Sequence, residues 1–346
     1  MKLSTALNYD RPLPEMVEHA QNLEKAGIDM IWTSEVYGYD AVSLMGYLAA
    51  VTDRAEIGSA ILPIYSRTPA LLAMTAAGLD ALSGGRIALG IGASGPQVIE
   101  GWHGVPYDRP LTRTREIIEI CHQVWKRERV TYDGKAYQVP LPPEQGTGLG
   151  KPLKMITHPV RERIPIHVAS LGPKNVELTA ELAEGWLPLF FHPERAAEVW
   201  GDALDLGKEK RDPEMPPLEV AAGGLVAIGS ESEVAPIREF ARPMLALYVG
   251  GMGAKGRNFY NDLMRRYGYE REAEEIQDLY LDGKKAEAAA LVPDDLLEAT
   301  SLCGDEGYVK ERIGAYREAG VTNLMITPIG DDPVAIIETL RRLADA

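Results

Sequence analysis

The stretch "GRIALGIGASGPQVIEGWHG" (residues 85–104) decides the fold, because it has different meanings in two classes of α/β protein. The pattern Gly90-x-Gly92-x-x-Gly95 directly follows an apolar run, and it matches the glycine pattern of a dinucleotide-binding fingerprint. In a Rossmann fold that fingerprint lies in the first strand–helix turn, and its third glycine opens a helix that points at the pyrophosphate. The meaning of the stretch therefore depends on what precedes and follows it.

Three strand–helix units precede this stretch, so its strand is the fourth. The first unit is a strand predicted over residues 2–8, followed by a helix over 13–26 that ends at Gly27. The next two strands are predicted over 28–35 and 56–63, and an apolar helical pattern follows each. The apolar residues of the first helix recur at helical spacing: Met16, Val17, Ala20, Leu23 and Ala26.

The residues after Gly95 also argue against a Rossmann turn. Prolines and glycines recur there and predict no helix before about Leu111. These residues are Pro96, Gly101, Gly104, Pro106 and Pro110. The glycines of the fingerprint are better explained by close approach of the backbone to a flat ligand at the end of a barrel strand, or simply by an easier turn.

The remainder of the chain continues the same repeat. Four further strands are predicted over 164–170, 185–191, 218–229 and 322–328, which makes eight apolar strands, each followed by helical sequence. This pattern predicts an α/β fold, a (β/α)8 TIM barrel with insertions, in a single domain over 1–346.

Two segments depart from the repeat. Residues 129–163 are rich in proline, glycine and tyrosine, and they predict an insertion loop over the barrel mouth. Residues 251–300 predict a helical insertion before the last unit.

Composition narrows the classes of function. The formal net charge is −15, which disfavours nucleic acid as a partner. The two cysteines have no C-x-x-C spacing, the six histidines form no H-x-x-x-H pair, and no G-x-S-x-G elbow occurs, so neither a metal site nor a serine hydrolase is predicted. No run of sequence is apolar enough to be a signal peptide or to span a membrane, so a cytoplasmic location is expected.

Several long stretches resemble the luciferase-like flavin and deazaflavin oxidoreductases, particularly the branch that depends on coenzyme F420. These stretches are "IWTSEVYGYDA" (31–41), residues 56–104, "IPIHVASLGPKN" (164–175) and "YREAGVTNLMITP" (316–328), in the family's order and spacing. The resemblance implies an eight-stranded barrel whose cofactor lies across the carboxyl-terminal mouth.

The resemblance also implies which residues hold the cofactor. A cis peptide bond at Ala60–Ile61 would support the middle ring, and Glu35 would contact a ring edge or the substrate. Val36 follows Glu35 where relatives commonly have histidine, so the proton donor is open. The remaining implied cofactor contacts are Gly92, Ala93 and Ser94 after the fourth strand, and the phosphate cradle Ala169, Ser170, Leu171, Gly172, Pro173 and Lys174. For the cradle, free N–H groups at a helix start favour an anion independently of the resemblance.

The implied activity is hydride transfer between F420 and an unidentified small organic substrate. Glu35, Tyr37, Tyr65 and His103 are the candidate proton donors or acceptors. Two alternatives remain open: an FMN-dependent monooxygenase of the same barrel, and a non-catalytic F420-binding protein.

Two further expectations concern the protein's surface. Four cations could meet the polyglutamate tail of F420 at the mouth, although a solvated face explains them equally well: Lys151, Lys154, Arg161 and Arg163. The apolar segment "PALLAMTAAGLDALSGG" (69–85) has too few charges for a solvent-exposed helix, and it predicts a homodimer.

Overall fold

The computed structural model describes residues 1–7 and 12–345, in which eight parallel strands close into a barrel surrounded by helices. Each strand pairs with the next, and the first pairs with the eighth from Lys2 opposite Asn323 to Thr5 opposite Ile326. The predicted TIM barrel is therefore confirmed. In chain order the barrel strands are Lys2–Leu7, Met30–Thr33, Glu56–Ser59, Ile87–Gly92, Ile166–Ala169, Gly185–Trp186, Glu219–Ala222 and Asn323–Pro328.

The helices follow the strands in the order expected of such a barrel. They are α1 (Leu13–Ala26), α2 (Ala41–Val51), α3 (Pro69–Ser83), α4 (Pro96–Gly101), α5 (Pro110–Trp125), α6 (Pro173–Leu182), α7 (Ala196–Lys210), α8 (Glu231–Phe240), α9 (Arg242–Ala246), α10 (Phe259–Arg266), α11 (Glu270–Leu281), α12 (Lys285–Ala290), α13 (Asp294–Ala299), α14 (Glu306–Glu318) and α15 (Pro333–Asp345). Helix α1 ends where its sequence predicts, because Gly27 adopts the left-handed conformation with φ 111°.

Two predicted strands are interrupted. The third stops at Ser59 and resumes as Leu62–Pro63, which pairs with the fourth strand. The seventh stops at Ala222 and resumes as Leu225–Ile228, which pairs with a short strand, Leu302–Gly304, that the sequence did not predict. Asn8, the last residue of the predicted first strand, lies outside the described residues.

The prediction that no helix forms before about Leu111 is wrong. Helix α4 begins at Pro96, directly after its N-cap residue Gly95. Proline suits the first position of a helix, since the missing N–H has no intrahelical partner there. Pro96, which the sequence pattern predicts to prevent a helix, therefore starts a short helix that ends at Gly101.

The two predicted insertions contain regular structure. Within 129–163, a hairpin over 132–139 packs beside α5, because the N–H groups of residues 135–137 donate to the Glu116 carboxylate. Its location over the barrel mouth stays a prediction. Residues 251–300 contain α10 to α13, and their status as an insertion in a single domain is likewise a prediction.

A polar network closes the amino-terminal end of the barrel. Glu219 accepts hydrogen bonds from Lys2 (Nζ–Oε2 3.0 Å) and Asn323 (2.9 Å), and lies 3.1 Å from His167 Nε2. Lys2 also contacts Glu56 at 2.8 Å. Burial alone would raise the pKa of Glu219, but His167, Asn323 and Lys2 outweigh it and lower that pKa to about 2. Charged and polar side chains therefore fill this end of the barrel.

An apolar layer lies above this network. Met30, Trp32, Ala88, Leu187 and Ala221 are buried together in the barrel interior, and Ala60, Ile61 and Ala169 pack against them from the carboxyl ends of the strands. This layer forms the floor of the mouth.

Candidate active site

The predicted cofactor residues lie at one end of the barrel. Glu35 follows the second strand, Ala60 and Ile61 the third, Gly92 ends the fourth, and Ala169 ends the fifth. Because all these strands are parallel, their carboxyl ends surround the same opening. The structure therefore brings together segments that are up to 139 residues apart, from Glu35 to Lys174, around one mouth.

The peptide bond between Ala60 and Ile61 is cis, as the resemblance implies. The Ala60 N–H donates to the Thr33 carbonyl at 2.7 Å, and the Ile64 N–H donates to the Gly92 carbonyl at 3.0 Å. The bulge is thus attached to the second strand on one side and to the fourth on the other. Its two side chains, both half-buried, contact the apolar floor.

The glycines of the fourth strand leave room for the third strand and its bulge. A Cβ on Gly90 would lie 1.6 Å from the Ser59 carbonyl oxygen, and the Ser59 hydroxyl is bonded to both the N–H and the carbonyl of Gly90. A Cβ on Gly92 would approach Ile61 at 3.0 Å and Ala169 at 3.3 Å. For Gly90, the expectation of close approach to a ligand is wrong, since the space beside it is filled by the neighbouring strand's backbone.

Glu35 is engaged in an ion pair. Its two carboxylate oxygens accept from Arg67 at 2.6 and 2.8 Å, and one of them also accepts from the Ala41 N–H at 3.2 Å. The ion pair raises the pKa of Arg67. Because both oxygens are occupied, the geometry suits a residue that holds the rim together better than one that exchanges protons.

The other candidate proton donors have different surroundings. Tyr65 is buried, donates to the Asp108 carbonyl at 2.8 Å, and has its pKa raised by burial, so its hydroxyl is committed to the rim. Tyr37 is 69% exposed, and its ring meets Trp102 edge-on at 6.5 Å. His103 follows α4 and is half-buried. Of the four candidate proton donors or acceptors, Tyr37 and His103 are therefore the two that the structure leaves available for proton transfer.

The predicted phosphate cradle begins α6. The Ser170 carbonyl accepts from Trp186 Nε1 and the Leu171 carbonyl from Trp200 Nε1, both at 2.9 Å. These bonds hold the two carbonyls toward the protein interior. A Cβ on Gly172 would have no atom within 4 Å, so the loop faces open space. The first amides of a helix have no intrahelical acceptor, and Lys174 adds an exposed charge beside them.

Arg266 lies beside the predicted cradle, and the sequence analysis did not single it out. From the end of α10, it donates to the carbonyls of Leu171 (3.0 Å) and Val199, and it lies over the Trp200 ring at 6.0 Å. Within residues 1–7 and 12–345, no ion pair joins it to a carboxylate. Burial lowers its pKa. No motif marks this arginine, since only folding brings α10 to the start of α6.

The expectation that Arg161 and Arg163 meet a cofactor tail at the mouth is wrong. Arg161 binds Asp80 and the carbonyl of Ile87, which starts the fourth strand. Arg163 binds Glu184, whose carboxylate also accepts from the first N–H of the fifth strand. Both arginines therefore lie at the amino-terminal end of the barrel.

Two other features are absent from the described residues. No group of histidine, cysteine, aspartate and glutamate side chains there is arranged to hold a metal ion. No helix in that part of the chain has the length and apolar character needed to cross a bilayer.

Comparison with known proteins agrees with this geometry. A family model described as luciferase-like monooxygenase matches residues 1–323. The chain belongs to the luciferase-like monooxygenase family. The resemblance stated from the sequence is thereby confirmed at the level of the family.

Individual members of the luciferase-like family are similar over nearly the whole chain. One is a Mycobacterium tuberculosis protein whose name assigns it, provisionally, to the coenzyme F420-dependent oxidoreductases; it is 42% identical over 339 residues, covering 94% of this chain and 95% of that protein. Another is the solved coenzyme F420-dependent tetrahydromethanopterin reductase of Methanopyrus kandleri, with a TM-score of 0.80, 25% identity, and 98% and 96% of the two chains covered.

A flavin-binding structure is also similar. The oxygenating constituent of 3,6-diketocamphane monooxygenase from Pseudomonas putida, in complex with FMN, has a TM-score of 0.67 at 19% identity, with 99% and 98% of the two chains covered. At this identity the likeness shows the shared fold alone.

Proposed function

We propose that the protein is an oxidoreductase that transfers a hydride between coenzyme F420 and a small organic substrate. The observation that carries the proposal is that an apolar seat, Ala60–Ile61, and the start of α6, where Gly172 faces open space, follow strands whose carboxyl ends surround the same mouth. A flat ring with a phosphate-bearing side chain needs both features. The name of the relative at 42% identity supports F420 over FMN.

The residues present fit such a group. The cradle offers N–H donors, with the uncompensated charge of Arg266 behind them, which suits a phosphate. Ile61 presents an apolar side chain beside Gly92, where a ring can lie flat. When bound, a deazaflavin supplies a carbon that accepts or donates hydride. The protein then has to orient the substrate, exclude water and provide a proton through a group such as Tyr37 or His103.

The function is tested by binding and then by turnover. Purified protein titrated with F420 is expected to show a saturable change in cofactor absorbance, with FMN bound at least about tenfold more weakly, a difference of about 1.4 kcal/mol. Reduced F420 is then mixed with ketones, imines, enones and pterins while cofactor oxidation is followed. Tighter binding of FMN would favour the monooxygenase alternative, and binding without any turnover would favour a carrier.

Arg266→Met is expected to weaken F420 binding roughly tenfold, because it removes a positive charge next to the proposed phosphate position. The phosphate-free deazaflavin riboside should bind wild type and variant equally. Arg265→Met, on the same helix but bonded to Asn261, is the matched control. Equal loss of affinity for both ligands would indicate general damage to the loop and contradict a charge effect.

We further propose that the protein is a homodimer through α3. One exposed stripe of this helix carries no charge: Ala70, Leu71, Met74, Gly78, Ala81 and Leu82. Leu82 is 67% exposed and Met74 is 55% exposed, and α2 beside them adds Tyr47 at 53%. Apolar surface of this extent on adjacent helices is typical of a subunit interface.

Met74→Arg is expected to raise the dimer dissociation constant by more than about a hundredfold, since a symmetric interface would bury two unpaired charges. Sedimentation velocity at micromolar concentration measures the change. Leu206→Arg, at a similarly exposed position on α7, should leave the dimer intact. A monomeric wild type at that concentration would show that the interface does not exist.

A further inference from the structure

One of the four buried tryptophans has no hydrogen-bond acceptor among the protein atoms. Trp125, Trp186 and Trp200 each donate the indole N–H to a backbone carbonyl at 2.9 Å. Trp32 is as deeply buried as these three, yet within residues 1–7 and 12–345 no atom accepts from its Nε1. A buried indole N–H usually has a partner. For Trp32 this indicates an acceptor that is not part of the protein.

Trp32 shares this property with three other groups inside the barrel. We call the four the interior polar atoms: Ser4 Oγ, Trp32 Nε1, His167 Nδ1 and Asn323 Oδ1. Each is buried and has no hydrogen-bond partner in the described part of the chain, and the four side chains are at most 3% exposed. Buried polar groups in proteins are hydrogen-bonded in the great majority of cases. Four exceptions, from four barrel strands, point to a ligand within the barrel.

Strand register and contacts place the interior polar atoms on the inner side of the barrel. Paired residues of neighbouring parallel strands direct their side chains to the same face of the sheet. Ser4 pairs with Met30, which belongs to the apolar layer inside the barrel. The Met30 sulfur lies 3.7 Å from Asn323 Nδ2. Trp32 belongs to the same layer, and its ring centroid is 5.2 Å from that of His167.

The orientation of the two rings shows which way their unpartnered nitrogens face. A Cβ on Gly58 would overlap with Cε3 and Cζ3 of Trp32, so the indole covers that strand with the edge that lacks Nε1. A Cβ on Gly185 would overlap with Cδ2 and Nε2 of His167, and Nδ1 is the ring atom opposite that edge. Both unpartnered nitrogens therefore point away from the strand that their ring covers.

Glu219 determines the hydrogen-bonding roles of two interior polar atoms. An ionised carboxylate can only accept, so His167 Nε2 donates to it at 3.1 Å, which in the neutral ring leaves Nδ1 as an acceptor. The Asn323 amide nitrogen also donates to Glu219, at 2.9 Å, which leaves Oδ1 as an acceptor. The Trp32 N–H is a donor, and the Ser4 hydroxyl can act in either sense. The interior polar atoms thus include both donors and acceptors.

We propose that the interior polar atoms bind water, in a buried site between the polar network at the amino-terminal end of the barrel and the apolar floor of the mouth. A water molecule donates two hydrogen bonds and accepts two, which suits this mixture, and a buried water typically makes about three. A cation would face the Trp32 N–H, and an anion would face the Asn323 oxygen, so neither charged ligand fits. The inference does not depend on the proposed function.

The tryptophans provide a test with internal controls. Deuterated protein carrying 15N-labelled indoles is studied in H2O, and the five N–H signals are assigned by replacing each tryptophan with phenylalanine in turn. A rotating-frame Overhauser experiment should show a cross-peak between water and the Trp32 N–H. Trp125, Trp186 and Trp200 should show none, because their N–H groups are bonded to carbonyls. Trp102, 66% exposed, is the positive control.

A second sample separates bound water from a relayed signal. A serine hydroxyl that exchanges its proton with bulk water could pass magnetisation to the neighbouring indole. Ser4→Ala removes that route, and the Trp32 cross-peak is expected to persist, because the water keeps its other partners. A high-resolution crystal structure should show a water within about 3 Å of Trp32 Nε1 and of at least one other interior polar atom.

Three results would each overturn the proposal. The Trp32 N–H could show no contact with water, the cross-peak could vanish in Ser4→Ala, or a protein atom could be found to accept from Trp32 Nε1 in the crystal. None of these results bears on F420 binding, which is measured separately by absorbance. Conversely, a failure to bind F420 would leave the water site unaffected.

Discussion

Gly90→Ala is expected to destabilise the protein by about 3 kcal/mol or more, at the upper end of overpacking effects. The added Cβ would lie 1.6 Å from the Ser59 carbonyl oxygen, and backbone cannot rotate away as a side chain can. Relief requires the third and fourth strands to separate beside Ala60 and Ile61. Urea unfolding should therefore show a lower midpoint, and F420 titration of the folded fraction should show weaker binding.

Gly314→Ala is the matched control for this substitution. Gly314 lies within α14, and a Cβ there has no atom within 4 Å. In a helix interior the change should stabilise the protein by about 0.5 to 1 kcal/mol. If Gly90→Ala were tolerated as well as Gly314→Ala, the close approach of the third strand's backbone to Gly90 would be contradicted. The explanation of why glycine occupies this position would then be wrong as well.

Glu219→Gln is expected to remove a stabilisation on the order of 3 kcal/mol, and to do so only above a defined pH. The folded pKa of Glu219 is lowered to about 2 from an ordinary 4.5. A lowered carboxyl pKa stabilises the folded state fully above the unfolded pKa, and the stabilisation is lost as the pH falls toward the folded pKa. The destabilisation caused by Glu219→Gln should thus be constant above about pH 5 and shrink below pH 4.5.

The measurement is urea unfolding of wild type and variant at each pH, taken down to the lowest pH at which both are folded. Comparing the two proteins cancels the titration of the other carboxylates. Glu311→Gln, at an exposed position on α14, serves as the control and should give no pH-dependent difference. A difference that stayed constant from pH 6 down to pH 3 would mean that Glu219 gains no protection from His167 and Lys2.

The sequence predicts the barrel because its evidence is local and repeated. All eight strands are found where the apolar runs lie, and α1 ends at Gly27 as predicted. At Pro96 the local pattern predicts the wrong structure, because proline disfavours a helix that continues through it but favours a helix that begins there. Strand ends were also overestimated, as at the sixth strand, which is only Gly185–Trp186.

The site was predictable in part. Family resemblance indicated Ala60–Ile61 and the cradle, and the structure places both at one mouth. It also changes the interpretation of two residues: Glu35 is held by Arg67, and Tyr65 is committed to Asp108. The position of Arg266 beside the predicted cradle was not predictable, because nothing in its neighbourhood along the chain indicates contact with Leu171.

By itself, the sequence determined the alternation of strand and helix and the barrel that eight such units form. These properties depend on the periodicity and composition of short stretches, which can be read without knowing which other segments pack against them. Only the tertiary structure decided that Gly90 faces Ser59, that Arg266 contacts the Leu171 carbonyl, and that the Tyr37 ring meets Trp102. Each of these is a contact between segments that are far apart in the chain, and its geometry depends on how the strands and loops pack in three dimensions, which no local pattern specifies.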